Sequence, residues 1–162
     1  MKQRSEVSAI SKDDDRDPLT FEFERLSLDP AYLDRREVLL DVIGDFRIRV
    51  GNVVIFDQPL FPVVEFATAL AQWRAVKMLT RSPFEYVSAE AEESPLIEFV
   101  PIDGGWSVQS PWLERPYTWP IARSDLADAT SRFVADVRAA LLYLQIDLNE
   151  ALTNLERGSK AR

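Results

Sequence analysis

The stretch LDVIGDFRIRVGNVVIF, residues 40–56, decides the fold of this chain. Its first half places apolar or small residues at every second position, which is the period of a β-strand with one buried face. Gly51-Asn52 then supplies two residues that tolerate positive φ, as a tight hairpin turn requires. The sequence therefore predicts a strand that ends at Val50 and a returning strand over Val53–Phe56. The predicted buried positions of the first strand are Leu40, Val42, Gly44, Phe46, Ile48 and Val50.

The opposite face of that first strand is charged. Asp41, Asp45, Arg47 and Arg49 alternate with the apolar positions. Charges of opposite sign stabilise a sheet face that is open to solvent. We therefore expect a solvated, mutually compensating surface there rather than a catalytic one.

Four more strands are predicted outward from the hairpin. Before it, Leu19, Phe21 and Phe23 alternate with polar residues, which again indicates a strand with one buried face. After it, Asp103-Gly104-Gly105 has the composition of a second hairpin turn. The strands predicted in this second region are Phe84–Ser88, Ile97–Ile102 and Trp106–Ser110.

Two helices are predicted from apolar residues at helical spacing. The first begins at Pro62, runs to about Leu79, and has Trp73 at the edge of its apolar stripe. Its predicted stripe is Val63, Phe66, Ala67, Leu70 and Val76. The second begins at Ser124, and its predicted stripe is Leu126, Phe133, Val134, Val137, Leu141 and Leu144.

These elements predict an α+β domain. Tight hairpins pair strands antiparallel, and two amphipathic helices need a sheet to cover. We expect a single antiparallel sheet of about six strands with two principal helices packed on one face. Residues 18–156 are predicted to form this domain, while residues 1–17 and 157–162 are predicted to be disordered tails because they contain little to bury.

Composition excludes several kinds of chemistry. The 162 residues include no cysteine and no histidine, so disulfides, thiolate nucleophiles, Cys or His metal sites and Ser-His triads are excluded. The net charge of −8, from 19 basic and 27 acidic residues, argues against a nucleic-acid partner. No stretch is apolar enough for a membrane helix or a signal core, which predicts a cytoplasmic protein without a membrane partner.

An acidic segment lies between Arg81 and Arg115, where the sequence has seven acidic residues and no basic one. Such a segment would attract and hold a basic protein. Alternatively, paired carboxylates would serve as general acid and base or bind a hard cation, or the segment is a solvated loop. The candidate residues are Glu90, Glu92, Glu93, Asp103 and Glu114.

An aromatic loop follows, with the sequence PWLERPYTWP over residues 111–120. Trp112, Tyr117 and Trp119 in a loop braced by three prolines offer rigid contact area at low entropic cost, as binding surfaces do. The alternative is that Trp112 and Trp119 fill an edge of the core.

Three segments carry a resemblance to a known kind of domain. They are DFRIRVGN at 45–52, PLFPVVEFA at 59–67 and GGWSV at 104–108. This pattern resembles small bacterial α+β domains, some of which resemble immunity proteins of polymorphic toxin systems. The likeness covers Leu19–Leu148 and implies an architecture and a setting, without assigning a role to any residue.

The sequence thus predicts a non-enzymatic immunity-type inhibitor that neutralises a basic cognate toxin. The predicted partner-binding residues are Glu90, Glu92, Glu93, Asp103, Trp112, Glu114, Tyr117 and Trp119. No catalytic residue, cofactor or metal ligand is predicted. A carboxylate enzyme, with or without a divalent cation, and a homo-oligomeric accessory or scaffold protein stay open as alternatives, as does the oligomeric state.

Overall fold

The computed structural model describes residues 17–28, 42–88 and 91–143. Within these residues the chain forms six strands and two helices. They are β1 (Leu19–Ser27), β2 (Ile43–Val50), β3 (Val53–Phe61), α1 (Val63–Val76), β4 (Phe84–Tyr86), β5 (Ile97–Ile102), β6 (Gly105–Gln109) and α2 (Arg123–Tyr143). The predictions for Leu40, Asp41, Glu90 and Leu144, and for the C-terminal tail, concern residues outside these ranges. Of the predicted N-terminal tail, only Asp17 lies within them.

The strands form two antiparallel sheets of three, in the orders β1-β2-β3 and β4-β5-β6. The α+β class is confirmed, but the prediction of one six-stranded sheet is wrong. The loop before α2 hydrogen-bonds to one edge strand of each sheet, β3 and β6. The backbone N–H of Glu114 donates to the carbonyl of Ile55 on β3, and Ile121 exchanges two 2.8 Å hydrogen bonds with Trp106 on β6.

One aromatic core nevertheless connects the two sheets. Phe21 of the first sheet lies 5.9 Å from Phe99 of the second, measured between ring centroids, and Phe61 lies 5.8 Å from Tyr86. The helices pack against each other, with α1 contacting β2 and β4 and α2 contacting β1 and β6. Burying each of these rings stabilises the fold by about 1.5–3 kcal/mol.

Helix α1 buries a face that differs from the predicted one at its C-terminal end. Trp73 is 4% exposed, whereas Val76, which was predicted to be buried, is 71% exposed. The reason is helical geometry, because Trp73 lies three residues after the buried Leu70 and Val76 falls outside that stripe. The predicted burial of Val76 is therefore wrong, and Trp73 extends the buried face of the helix.

The outer face of the first sheet is charged, as predicted for its β2 residues. Arg47 pairs with Glu24 at 3.5 Å and with Asp57 at 3.1 Å, and Arg49 pairs with Glu22 at 3.2 Å. Asp45 also pairs, with Arg25, so that positive and negative groups alternate across the three strands. Exposed pairs of this kind add little to stability, because water already solvates both charges.

Candidate functional site

The predicted acidic residues that flank β5 lie at opposite ends of the second sheet. Glu92 and Glu93 are exposed and precede β5 at its Ile97 end, whereas Asp103 is exposed and follows its Ile102 end. The six residues of β5 span about 17 Å at the usual rise per residue. The acidic residues therefore do not form one continuous group, and Glu90 lies outside the described residues.

Trp112 and Leu113 belong to the structural part of the aromatic loop. Both are half-buried and pack against the core. The backbone N–H of Trp112 donates to the hydroxyl oxygen of Ser110 at 3.0 Å, and the N–H of Glu114 anchors the next residue to Ile55. The core-edge alternative therefore describes Trp112, while the Glu114 side chain is exposed.

Tyr117 and Trp119 lie at the other end of the aromatic loop and differ from Trp112. Trp119 is 73% exposed, and Tyr117 is half-buried. Both line an open cleft of about 740 Å³ between the ends of the two sheets and the start of α2. We call this the Tyr117–Trp119 cleft; its lining consists of Asp17, Leu19, Val50, Val53, Gly104, Pro116, Tyr117, Thr118, Trp119, Pro120, Ile121 and Asp125.

The hairpin turn of the first sheet positions one wall of the cleft. Gly51 has φ of +56°, and its N–H donates to the carbonyl of Pro18 at 2.9 Å. A Cβ at Gly51 would come within 2.6 Å of the Asp17 carboxyl carbon. Glycine at this turn therefore permits both the turn and the position of Asp17, beside a floor formed by the buried side chains of Leu19 and Val50.

The pairing of Ile121 with Trp106 positions the other wall. This bridge returns the aromatic loop to the edge of β6 directly after Trp119 and Pro120. A Cβ at Gly105 would lie 2.2 Å from the Ile121 carbonyl oxygen, so the close approach requires glycine. The cleft thus rests on two glycine contacts and on prolines at 116 and 120, rather than on a free loop.

The cleft is acidic. Among the described residues that line it, Asp17 and Asp125 are carboxylates, and there is no lysine or arginine. Burial raises the pKa of Tyr117 above its ordinary value, and the negative charges of Asp17 and Asp125 raise it further. Two acids and two aromatic rings on an apolar floor suit a cationic ligand.

Sequence reasoning found the aromatic half of the cleft and missed its acidic half. Asp17 fell within the predicted tail, and Asp125 reads as an ordinary acid in the first turn of α2, where the helix dipole favours it. The one available signal for Asp17 was its place directly before the alternating residues of β1. Nothing in the local sequence brings Asp125 toward it.

A second cleft, of about 700 Å³, lies between the C-terminal half of α1 and β4. Its lining includes both Lys77 and Glu85, and the Trp73 ring is largely buried beneath it.

The residues that the structure describes contain no group of three or more Asp, Glu, His or Cys side chains placed to hold a metal ion. No helix in the same ranges is long and apolar enough to cross a membrane.

Comparison with known proteins places the chain in a sequence family. No curated protein and no solved structure matches the chain significantly. Residues 19–143, which include both sheets, the aromatic loop and the described length of α2, match a sequence family. The chain therefore belongs to the family described as Domain of unknown function (DUF7878).

Proposed function

We propose that this protein is a non-enzymatic binding protein, an immunity-type inhibitor that neutralises a basic toxin. The observation that carries the proposal is the exposed Trp119 on the rim of the acidic Tyr117–Trp119 cleft. Exposed tryptophan is costly in water, and aromatic residues held rigidly beside charged groups are typical of the energetic centres of protein interfaces.

The charge of the whole chain supports the same proposal. A net charge of −8 produces a field that attracts a basic protein over distances well beyond direct contact. Such fields mainly raise the association rate, while close aromatic contacts slow dissociation. We assign the first role chiefly to the exposed Glu92, Glu93, Asp103 and Glu114 and the second to Tyr117 and Trp119. We also propose that the protein acts in the bacterial cytoplasm.

The test begins with the full chain as bait in a lysate of its source cells at low and moderate salt. Bound proteins are identified by mass spectrometry, and each candidate is expressed alone and together with the chain. We expect one stoichiometric basic protein that salt releases, that is toxic alone, and whose toxicity co-expression of this chain relieves.

The lysate must be shown to contain the products of the neighbouring genes. If it does and no specific protein is retained, the inhibitor proposal is wrong, and a carboxylate enzyme or a self-associating domain becomes the better explanation. A retained protein that is toxic equally with and without this chain would also contradict the proposal.

A further inference from the structure

We infer that the Tyr117–Trp119 cleft is a receptor site for a single arginine side chain of the partner. The inference rests on the proposed function for the source of that side chain. The recognition chemistry rests only on the cleft, which places two carboxylates and two aromatic rings around an apolar floor. The two ideas can therefore fail separately.

The charge of the lining selects a cation. Asp17 and Asp125 come from different elements, one before β1 and one in the first turn of α2, and both lie near Tyr117. Neither carboxylate has an ion pair with a described lysine or arginine side chain. An incoming cation would therefore neutralise charge that no described basic side chain compensates at this place.

The aromatic rings favour arginine over lysine. A planar guanidinium stacks on an indole or phenol ring and still directs its N–H donors at carboxylates in the same plane. The Trp119 ring is exposed to solvent, and the Tyr117 ring is half-buried in the lining of the cleft. The methylene stem of arginine would cover the apolar floor at Leu19 and Val50.

The cleft is preformed, which makes binding of one side chain measurable. The hydrogen bond from the Gly51 N–H to the Pro18 carbonyl fixes the backbone beside Asp17, and the Ile121 bridge holds the end of the aromatic loop. A site that does not have to order itself loses little conformational entropy when it is occupied.

The probe is arginine amide with its N-terminus acetylated, and the matched control is the corresponding citrulline amide, which is neutral and nearly isosteric. The chain is labelled with 5-fluorotryptophan, so that its four tryptophans give four ¹⁹F resonances, and Trp119→Phe assigns the resonance of Trp119. We expect saturable movement of that resonance with arginine amide and at least about tenfold weaker binding of citrulline amide.

Two charge-matched variants localise the effect. Asp17→Asn with Asp125→Asn preserves side-chain shape and should weaken arginine amide at least about tenfold. Glu92→Gln with Glu93→Gln removes the same charge at the other end of β5 and should leave the affinity for arginine amide unchanged, because neither residue lines the cleft. Circular dichroism and thermal unfolding show whether both variants keep the fold.

Three outcomes would overturn the inference: equal binding of both amides, equal loss in both double variants, or no movement of the Trp119 resonance. A shift that depends on protein concentration without probe would mean that a second copy of the chain occupies the cleft, which also overturns it. If the chain neutralises a basic toxin but binds no arginine amide, only the cleft assignment fails. Arginine amide binding without a basic partner would contradict the proposed function alone.

Discussion

At the residue scale, Trp73 and Trp119 carry the same ring in opposite surroundings. The indole N–H of Trp73 donates to the Ser82 carbonyl at 2.9 Å, and its ring meets that of Trp106 edge-on at 5.3 Å. We expect Trp73→Ala to lower the free energy of unfolding by about 3–5 kcal/mol. Trp119→Ala should change it by less than about 0.5 kcal/mol.

The two tryptophan substitutions also distinguish an effect on stability from an effect on partner binding. With the partner in hand, Trp119→Ala should weaken affinity at least about tenfold because a rigid aromatic anchor is lost. Urea unfolding and calorimetric titration measure the two effects. A loss of stability in Trp119→Ala as large as that in Trp73→Ala would show that the ring serves the core instead of an interface.

Tyr117 provides a pH test at the same scale. Its pKa lies above the ordinary 10.0, chiefly through burial and then through the charges of Asp17 and Asp125. The unfolded chain therefore loses this proton first as the pH rises above about 10, so the unfolded state binds fewer protons and stability falls through that range. Below that range the phenol is protonated in both states and contributes no pH dependence.

Ultraviolet difference titration of the chain against Tyr117→Phe isolates this phenol. We expect Asp17→Asn with Asp125→Asn to lower the pKa of Tyr117 only part of the way to its ordinary value, because burial is the larger cause. Complete return to the ordinary value would show that charge alone sets the pKa, and no change would remove both carboxylates from its surroundings.

At the scale of elements, local patterns predicted the hairpins well and their assembly poorly. The alternation up to Val50 with the Gly51-Asn52 turn, and the turn at Asp103-Gly104-Gly105, are both confirmed. Each depends on residues that are neighbours in sequence. The division into two sheets, and the contacts by which Glu114 reaches Ile55 and Ile121 reaches Trp106, involve residues that are distant in sequence, and no local period records such pairings. The acidic half of the cleft was missed for the same reason, because Asp17 and Asp125 meet only through the tertiary fold.

The bridge between Ile121 and β6 predicts different effects of alanine at the neighbouring positions Gly104 and Gly105. Gly105→Ala would drive a Cβ into the Ile121 carbonyl, so we expect it to lower stability by about 1–3 kcal/mol and to abolish arginine amide binding. Gly104→Ala is the comparison at the neighbouring position of the cleft lining: its φ of +81° is strained, but the atom nearest to an added Cβ, Pro120 Cγ, is 3.7 Å away, so the Ile121 bridge stays in place. It should cost about 1 kcal/mol and weaken arginine amide binding less than Gly105→Ala does, because only Gly105→Ala displaces the bridge. Equal loss of binding in both variants would show that the bridge does not position the cleft.

At the scale of the whole molecule, the proposed interface has acidic residues in two regions separated by the length of β5, and this separation predicts a division between encounter and retention. A long-range field depends on total charge, whereas dissociation depends on the groups that are desolvated in the complex. Because the two acidic regions are far apart, each can be neutralised in its own variant. The two variants then carry the same net charge, and their association and dissociation rates can be compared.

The two charge-matched double variants test that division in the complex with the partner. Asp17→Asn with Asp125→Asn, and Glu92→Gln with Glu93→Gln, each remove two negative charges, so both should slow association by a similar factor, about two- to tenfold at low salt. Both should also reduce the salt dependence of association, because fewer charges are screened. Only the first pair should speed dissociation, since only it removes groups that contact the bound cation. Stopped-flow association and surface-based dissociation over a range of salt measure both rates. Faster dissociation in the Glu92 and Glu93 variant alone would move the energetic centre of the interface to the other end of the sheet.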